Sequence, residues 1–126
     1  MNDNPQARDA SQYSFVAKAN AGNQQSFTKS IAILPFVNRS NDPDNEYFSD
    51  GITEDIINAL ASVQGLRVMA RTSSFAFKGK NVDVRTIGQI LGVSTVLEGS
   101  VRKVKQRVRI SARLIDAVEG THLWSK

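Results

Sequence analysis

Cysteine is absent from this 126-residue chain, which excludes a disulfide framework, a thiolate metal site and a cysteine nucleophile. The single histidine, His122, has no second histidine and no serine at a recognisable nucleophile elbow, so we interpret it as a strand residue. No apolar run approaches the roughly 18 residues that a transmembrane helix needs. The first residues also lack the basic-then-apolar layout of a signal peptide. We therefore expect the chain to be soluble as given.

Phosphate-binding loops are also missing, because the sequence contains neither GxxxxGK[ST] nor GxGxxG. Asp50, Glu54 and Asp55 fall in the first turns of a predicted helix, where carboxylates interact favourably with the helix dipole. A paired general acid and base would need a second carboxylate from another element, and the pattern shows none. The sequence therefore predicts a non-enzymatic chain with no cofactor, no metal site and no catalytic residue.

Two regions differ sharply in composition. Residues 1–28 are rich in Asn, Gln, Ala and Ser, and no apolar period of 2 or 3.6 persists there. This composition predicts a disordered arm or linker. Residues 29–126 are ordinary in hydrophobic and charged content and predict one α/β domain with a single core.

The first half of that domain reads as strand, helix, strand, helix. The apolar run from Ile31 to Val37 predicts a buried strand, with Pro35 at its end or at an edge. A helix ending near Ser62 is predicted with one apolar face at helical spacing. That face comprises Phe48, Ile52, Ile56, Ala59, Leu60 and Val63. Residues 66–70 predict a second strand, and a short helix follows between Asp83 as its cap and Gly92 as its stop.

The second half predicts a hairpin, with strands at 95–104 and 107–116 and Lys105-Gln106 as a two-residue turn. In this register Val101 faces Ile110 and Glu98 faces Arg113, which collects the apolar pairs on one side. A final strand starts at Thr121. The predicted fold is α/β (α+β): a single domain with the order β-α-β-α-β-β-β, a mixed sheet and two helices packed on one face.

Positive charge concentrates on the hairpin, in a chain of net charge +4 and sequence pI about 9.7. The candidate interaction residues are Arg102, Lys103, Lys105, Arg107, Arg109 and Arg113. A solvated strand face or an acidic protein partner is favoured over nucleic acid or anionic lipid. The outward positions carry no aromatic or amide side chain with which to read bases.

A second hypothesis places a small-ligand pocket near the strand ends, because open α/β sheets bind ligands at the carboxyl ends of their strands. The candidate lining residues are Asn38, Arg39, Arg71 and Ser73. A ligand-induced rise in melting temperature would favour this sensor hypothesis.

Five motifs in order resemble the TolB-like domain of bacterial multidomain proteins. They are Ile31-Ala32-Ile33-Leu34-Pro35-Phe36, residues 47–57 (YFSDGITEDII), Arg71-Thr72-Ser73-Ser74-Phe75, Leu97-Glu98-Gly99-Ser100-Val101-Arg102 and Leu123-Trp124. The resemblance covers about residues 30–126 and implies the fold of the amino-terminal domain of TolB.

The resemblance also implies an accessory module of a larger bacterial, membrane-associated signalling protein. In such proteins the domain follows a nucleotide-cyclase or winged-helix domain and precedes tetratricopeptide repeats. The expected partners are another protein or other domains of the same chain. Contact with a membrane is expected only through the parent protein, and the resemblance leaves open both the compartment, periplasm or cytoplasm, and the oligomeric state.

Overall fold

The computed structural model describes residues 29–126, so the arm predicted for residues 1–28 lies outside it. The described part contains six strands, three α-helices and one 3-10 turn. These are β1 (Lys29–Ile33), β2 (Val37–Asn38), the 3-10 turn (Pro43–Asn45), α1 (Glu46–Ala61), β3 (Leu66–Val68), α2 (Arg71–Phe75), α3 (Val84–Leu91), β4 (Thr95–Val104), β5 (Arg107–Asp116) and β6 (His122–Ser125).

The strands form one mixed sheet in the order β3-β1-β4-β5-β6, and β2 pairs with β4 as a continuation of β1. Both neighbours of β1 are parallel to it, as expected for strands joined through helices. The β4–β5 and β5–β6 pairs are antiparallel. The predicted mixed α/β class is confirmed.

The two longer helices take opposite faces of this sheet rather than the single face expected from the sequence. Ile31 and Ile33 of β1 pack with α1, whereas Ala32 between them packs with Ile87 and Leu91 of α3. Successive strand residues point to opposite faces, so the two core clusters lie on either side of the sheet. The cause is the strand order: the crossovers to β3 and β4 leave in opposite directions, and right-handed crossovers then place their helices on opposite sides.

The predicted apolar face of α1 is confirmed in part, because Phe48, Ile52, Ile56 and Leu60 pack against the core, but the most buried residues of the helix lie beside them. Its buried positions are Ser49, Thr53 and Ile57. Ala59 is exposed and Val63 is 47% exposed, so both leave the predicted apolar face. Two hydroxyl side chains therefore lie in the core, where each needs a hydrogen-bond partner.

Pro35 explains why the hydroxyl of Thr53 is there. Proline has no amide N–H and interrupts the pairing of β1 with β4, which resumes only at Val37. The buried N–H of Phe36 donates instead to Thr53 Oγ1 at 2.9 Å. Thr53 Oγ1 in turn donates to the carbonyl of Ser49 at 3.0 Å. One side chain thus satisfies the strand break and joins α1 to the sheet.

We expect Thr53→Val to lower the free energy of unfolding by about 1–3 kcal/mol, the cost of leaving a buried amide without an acceptor. Thr53→Ser is the matched control, because it keeps the hydroxyl and loses only a methyl group. Urea titrations of both variants measure the difference. A valine variant as stable as the serine variant would contradict this role of the hydroxyl.

The Phe36 ring lies directly against the backbone of β4 at Gly99. A Cβ on Gly99 would come within 2.6 Å of Phe36 Cε2 and would also clash with the carbonyl oxygen of Ser111. Phe36 is 1% exposed, so its ring is packed on all sides against other groups of the protein. Glycine at this position therefore permits the close approach of ring and strand.

We expect Gly99→Ala to destabilise the domain by at least about 1–3 kcal/mol through overpacking. Gly51 provides the contrast, because a Cβ there meets nothing within 4 Å and the residue lies inside α1. Gly51→Ala should raise stability by roughly 0.5–1 kcal/mol. Thermal and urea unfolding of both variants test the pair, and equal effects would show that the close packing at Gly99 is not limiting.

Helix α2 lies in a segment for which the sequence pattern predicts no helix. Ionic contacts with α1 hold this region in place. Arg71 Nε lies 3.0 Å from Glu54 Oε2. Lys78 Nζ lies 2.6 Å from Asp50 Oδ2 and 3.1 Å from Glu46 Oε2. The three carboxylates stand four residues apart on α1 and so share one side of that helix.

The Lys78 contacts have a consequence at alkaline pH. The hydrogen bond that Lys78 donates to Asp50, followed by the one it donates to Glu46, raises the pKa of Lys78 above that of an ordinary lysine. A raised pKa contributes stability that is fully present below the unfolded pKa, about 10.4, and is lost as the pH rises through the folded pKa. We therefore expect the difference in free energy of unfolding between wild type and Lys78→Met to be constant around neutral pH. The difference should shrink as the pH rises above about 10.4.

Lys80→Met is the control for this prediction, because Lys80 is exposed and has no ion pair among residues 29–126. Urea unfolding across an alkaline pH series gives both gaps. A Lys78 gap that stays constant to the alkaline limit of folding would contradict the assignment.

Candidate functional site

The β4–β5 hairpin has the predicted register over its full length. Val101 pairs with Ile110, Glu98 pairs with Arg113, and Lys105-Gln106 forms the two-residue turn. Lys105 has φ 57° and is the one non-glycine residue with positive φ in the described range. With the turn fixed in this way, alternate residues of each strand point to alternate faces.

Four arginines of the hairpin fall on the face that also carries α3. Arg102 lies directly opposite Arg109. Arg107 lies two residues before Arg109 on β5 and points to the same side. Arg113, four residues after Arg109 on β5, makes an ion pair with Glu98 at 3.1 Å. Like charges directly opposite each other on two strands repel, so the Arg102–Arg109 pair has a cost in stability.

Arg39 adds a fifth guanidinium from the segment after β2. Its N–H donates to the carbonyl of Val101 at 2.8 Å, which continues the pairing of β2 with β4. Its side chain lines the same depressions as Arg113. We define the arginine face as Arg39, Arg102, Arg107, Arg109 and Arg113.

The arginine face is open because α3 covers only one end of the sheet. The α3 core includes Val96 and Ala117 but nothing from the turn half of the hairpin. Within residues 29–126, Glu98 is the one acid that forms an ion pair on this face, and its partner is Arg113. Arg102, Arg107 and Arg109 have no carboxylate within ion-pair distance in that range.

Two depressions lie along the arginine face. One depression, of about 390 Å³, is lined by basic residues, serines and two small residues of the hairpin. It is lined by Arg39, Gly99, Ser100, Ser111, Ala112, Arg113, Ser125 and Lys126. The other, of about 440 Å³, lies near the turn between Arg102, Arg107 and Arg109. Guanidinium and hydroxyl donors around open space are suited to bind carboxylate or phosphate oxygens.

The remaining two basic residues predicted for this site lie elsewhere. Lys103 pairs with Val108 and points to the α1 face, where its ammonium is 4.9 Å from the centre of the Phe48 ring. Lys105 is in the turn itself. Of the six candidate interaction residues, the structure therefore gathers the four arginines on one face and separates the two lysines.

The four residues predicted for a strand-end pocket do not converge. Asn38 is engaged in its own loop, donating to the carbonyl of Asp42 at 3.2 Å. Arg71 is bound to Glu54 and stacks 4.0 Å from the Phe75 ring centre, and Ser73 lies in the same short helix. Arg39 alone of the four lines the depressions described here.

A cavity of about 260 Å³ does lie at the end of β1, where the strand order reverses and α/β sheets bind ligands. Its wall includes the loop from Phe77 to Val82 together with Leu34, Pro35 and Arg113. The sequence pattern of this loop does not place it beside β1, because that position depends on tertiary packing. Within residues 29–126, no three His, Asp or Glu side chains cluster closely enough to hold a metal ion.

The family of the chain follows from a match over this whole domain. Residues 27–126 match the model of the HilA/YgeH-like transcriptional regulator second domain. The chain belongs to this family. Its residues thus form a domain that in these regulators stands second along the chain.

A curated relative comes from a different class of protein. The chain is 58% identical over 97 residues to a Rhizobium meliloti (strain 1021) protein named "Putative adenylate cyclase 3". The match covers 77% of this chain and 16% of the relative, so the chain spans about a sixth of the relative's length. The predicted association with an adenylate cyclase is thereby supported.

Solved structures share the fold. Lipoprotein GNA1162 from Neisseria meningitidis aligns with a TM-score of 0.63 and 26% identity, over 78% of each chain. TolB from Acinetobacter baumannii aligns with a TM-score of 0.53 and 17% identity, over 78% of this chain and 22% of that chain. The resemblance to the TolB-like fold is confirmed. No helix in residues 29–126 is long and apolar enough to cross a membrane.

Proposed function

We propose that this chain is an accessory interaction domain whose arginine face binds an acidic segment of a protein partner. The observation that carries the proposal is the Arg102–Arg109 pair, two like charges held opposite each other with no carboxylate within ion-pair distance in the described range. A carboxylate placed between two guanidinium groups relieves their repulsion and accepts charge-assisted hydrogen bonds from both.

The context of the relatives supports an accessory role. Matching domains occur in a protein named as a cyclase and in transcriptional regulators, two classes with different output chemistry. A domain common to both is best suited to a task that both need, such as contact with a partner or between domains. We propose that it relays a signal in this way within a larger bacterial signalling protein, without catalysis of its own.

Sequence-specific recognition of nucleic acid is disfavoured by the side chains around the arginines. On the same face the neighbouring positions are Glu98, Ser100, Val104 and Ser111. None of these is an aromatic platform for a base or an amide that can read its edge. The arginines therefore supply charge without base readout, which suits an acidic peptide better than a specific nucleic-acid sequence.

A small anion is the second candidate ligand, because the depression between Arg39 and Arg113 also contains three serine side chains. Hydroxyl groups beside guanidinium groups are suited to a compact anion that needs several short hydrogen bonds. A sensor of this kind would show a rise in melting temperature with a free anion such as inorganic phosphate. An interaction surface would respond to acidic peptide instead.

Arg109→Glu is the decisive variant, with opposite expected effects on stability and binding. It converts a like-charge pair into an opposite-charge pair with Arg102, so the free energy of unfolding should rise slightly. It also removes a guanidinium donor and introduces repulsion, so affinity for a poly-glutamate peptide should fall by roughly tenfold or more. Urea unfolding and fluorescence anisotropy at moderate salt measure the two effects.

Lys29→Glu is the matched control, because it makes the same change in net charge at an exposed position on β1, outside the arginine face. It should leave peptide affinity within about twofold, as a general charge effect is largely screened at moderate salt. Equal losses in the two variants, or no binding of the peptide by wild type, would refute the arginine face as the docking surface. Tighter, sequence-dependent binding of duplex DNA would refute the choice of an acidic protein partner.

A further inference from the structure

The cavity of about 260 Å³ at the end of β1 lies between two packed parts of the domain. One wall is the loop from Phe77 to Val82 together with Ile87 of α3. The other wall is the segment in which β1 gives way to β2, together with the β4–β5 hairpin near Gly99. All of the lining residues fall between positions 34 and 113, so both walls belong to the interior of the described chain.

The break at Pro35 creates the space. Leu34 still bonds to β4, because its N–H donates to the carbonyl of Leu97 at 2.9 Å, and strand pairing resumes at Val37. Both Leu34 and Val37 lie on the α3 face of the sheet, since Leu34 packs with the α3 core and Val37 is in register with Ser100. Val37 is nevertheless 53% exposed. The cavity therefore occupies the step between the part of the sheet that α3 covers and the part that it leaves open.

The loop wall is fixed at both of its ends. At its start, Lys78 Nζ is bound to the carboxylates of Asp50 and Glu46 on α1. At its end, Asp83 accepts a hydrogen bond from the N–H of Arg85 at 2.8 Å and so caps α3. A cavity whose wall is held in this way keeps its shape without a ligand, which lowers the entropic cost of binding.

The lining has a substantial apolar part. Several of these side chains also pack against the α3 core, so their positions are set by the fold. A surface of this kind favours a ligand with an apolar body. The volume lies just below the range of about 300–1,000 Å³ that is common for drug-sized ligands, so the ligand has to be compact. The apolar lining residues are Leu34, Pro35, Val37, Phe77, Val82 and Ile87.

The charged lining residues leave an excess of positive charge. Arg113 is paired with Glu98, and Lys78 is paired with the two acids of α1. Arg39 and Lys80 are exposed, and neither has a carboxylate within ion-pair distance in residues 29–126. Cationic donors beside an apolar wall favour a ligand that is negative at one end only. Inorganic phosphate has no apolar part with which to cover that wall.

We propose that this cavity binds a compact monocarboxylate with an aromatic or branched aliphatic body. The body covers the apolar wall at Leu34, Phe77 and Ile87, and the carboxylate accepts charge-assisted hydrogen bonds from Arg39 and Lys80. This inference goes beyond the proposed function, because it assigns a small-molecule site in addition to the surface for a protein partner.

The test titrates the whole chain, labelled with ¹⁵N, with 1-naphthoate. A dissociation constant of roughly 0.1–1 mM is expected for a ligand of this size. 1-Naphthamide has the same shape without the charge, and acetate has the charge without the ring, so each should bind at least about tenfold more weakly. The amide signals that shift with naphthoate should centre on Val37, Gly79, Lys80 and Val82.

Lys80→Met is the decisive variant, because it removes one cation from an exposed position of the cavity. Naphthoate affinity should fall by about threefold or more, while affinity for poly-glutamate peptide should stay within about twofold, since Lys80 lies outside the arginine face. Lys29→Met is the matched control, with the same change of charge at the other end of β1. It should leave naphthoate affinity unchanged. Dispersed ¹⁵N spectra of both variants check that each is folded.

Several outcomes would overturn the proposal. Equal binding of naphthoate and naphthamide would refute the carboxylate, and equal binding of naphthoate and acetate would refute the apolar body. Signal shifts centred on Arg102, Arg107 and Arg109 would place the acid on the hairpin instead of in the cavity. Absence of saturable binding would refute the site. The peptide titration is separate, so each of these failures is distinguishable from a failure of docking on the arginine face.

Discussion

The hydrogen bond between the Phe36 amide and the Thr53 hydroxyl is the contact on which the arrangement of this domain depends. Pro35 breaks the central strand at a buried position, and an unsatisfied amide there would carry the full cost of desolvation. Because Thr53 accepts that bond from α1, the strand resumes one residue later as β2, and Phe36 turns onto Gly99. Because the strand resumes as β2, Arg39 lies alongside β4 and beside the hairpin arginines.

The parts that sequence reasoning predicted correctly are those governed by local alternation. The hairpin register follows from apolar residues at every second position, and a slip of one residue would have turned that set to solvent. The same alternation placed Arg102 and Arg109 on one face. Pro35 as a strand break and Asp83 and Gly92 as helix limits were readable because each acts through its own backbone geometry.

The features of the fold that could not be predicted from the sequence depend on the strand order and on buried hydroxyl side chains that form hydrogen bonds. Nothing in the local pattern states that β1 lies between β3 and β4, and this order alone sends α1 and α3 to opposite faces. Phe48, Ile52, Ile56 and Leu60 do pack against the core as the pattern predicts. Ser49 and Thr53 count as polar in any periodicity, so the pattern misses them and includes the exposed Ala59 and Val63 instead. The candidate interaction residues predicted from the sequence lack Arg39 for the same reason. Arg39 reaches the hairpin only because the strand is interrupted at Pro35 and then pairs with β4 again.

The β3 edge of the sheet bears on assembly into filaments. Strand β3 closes one end with three residues, one of them Arg67, whose guanidinium is bound to the carbonyl of Gly92. Such a short edge offers little backbone to a neighbouring molecule. A sheet extends from one molecule to the next only through an edge that offers backbone groups, so within residues 29–126 the short β3 edge disfavours filament growth at that end.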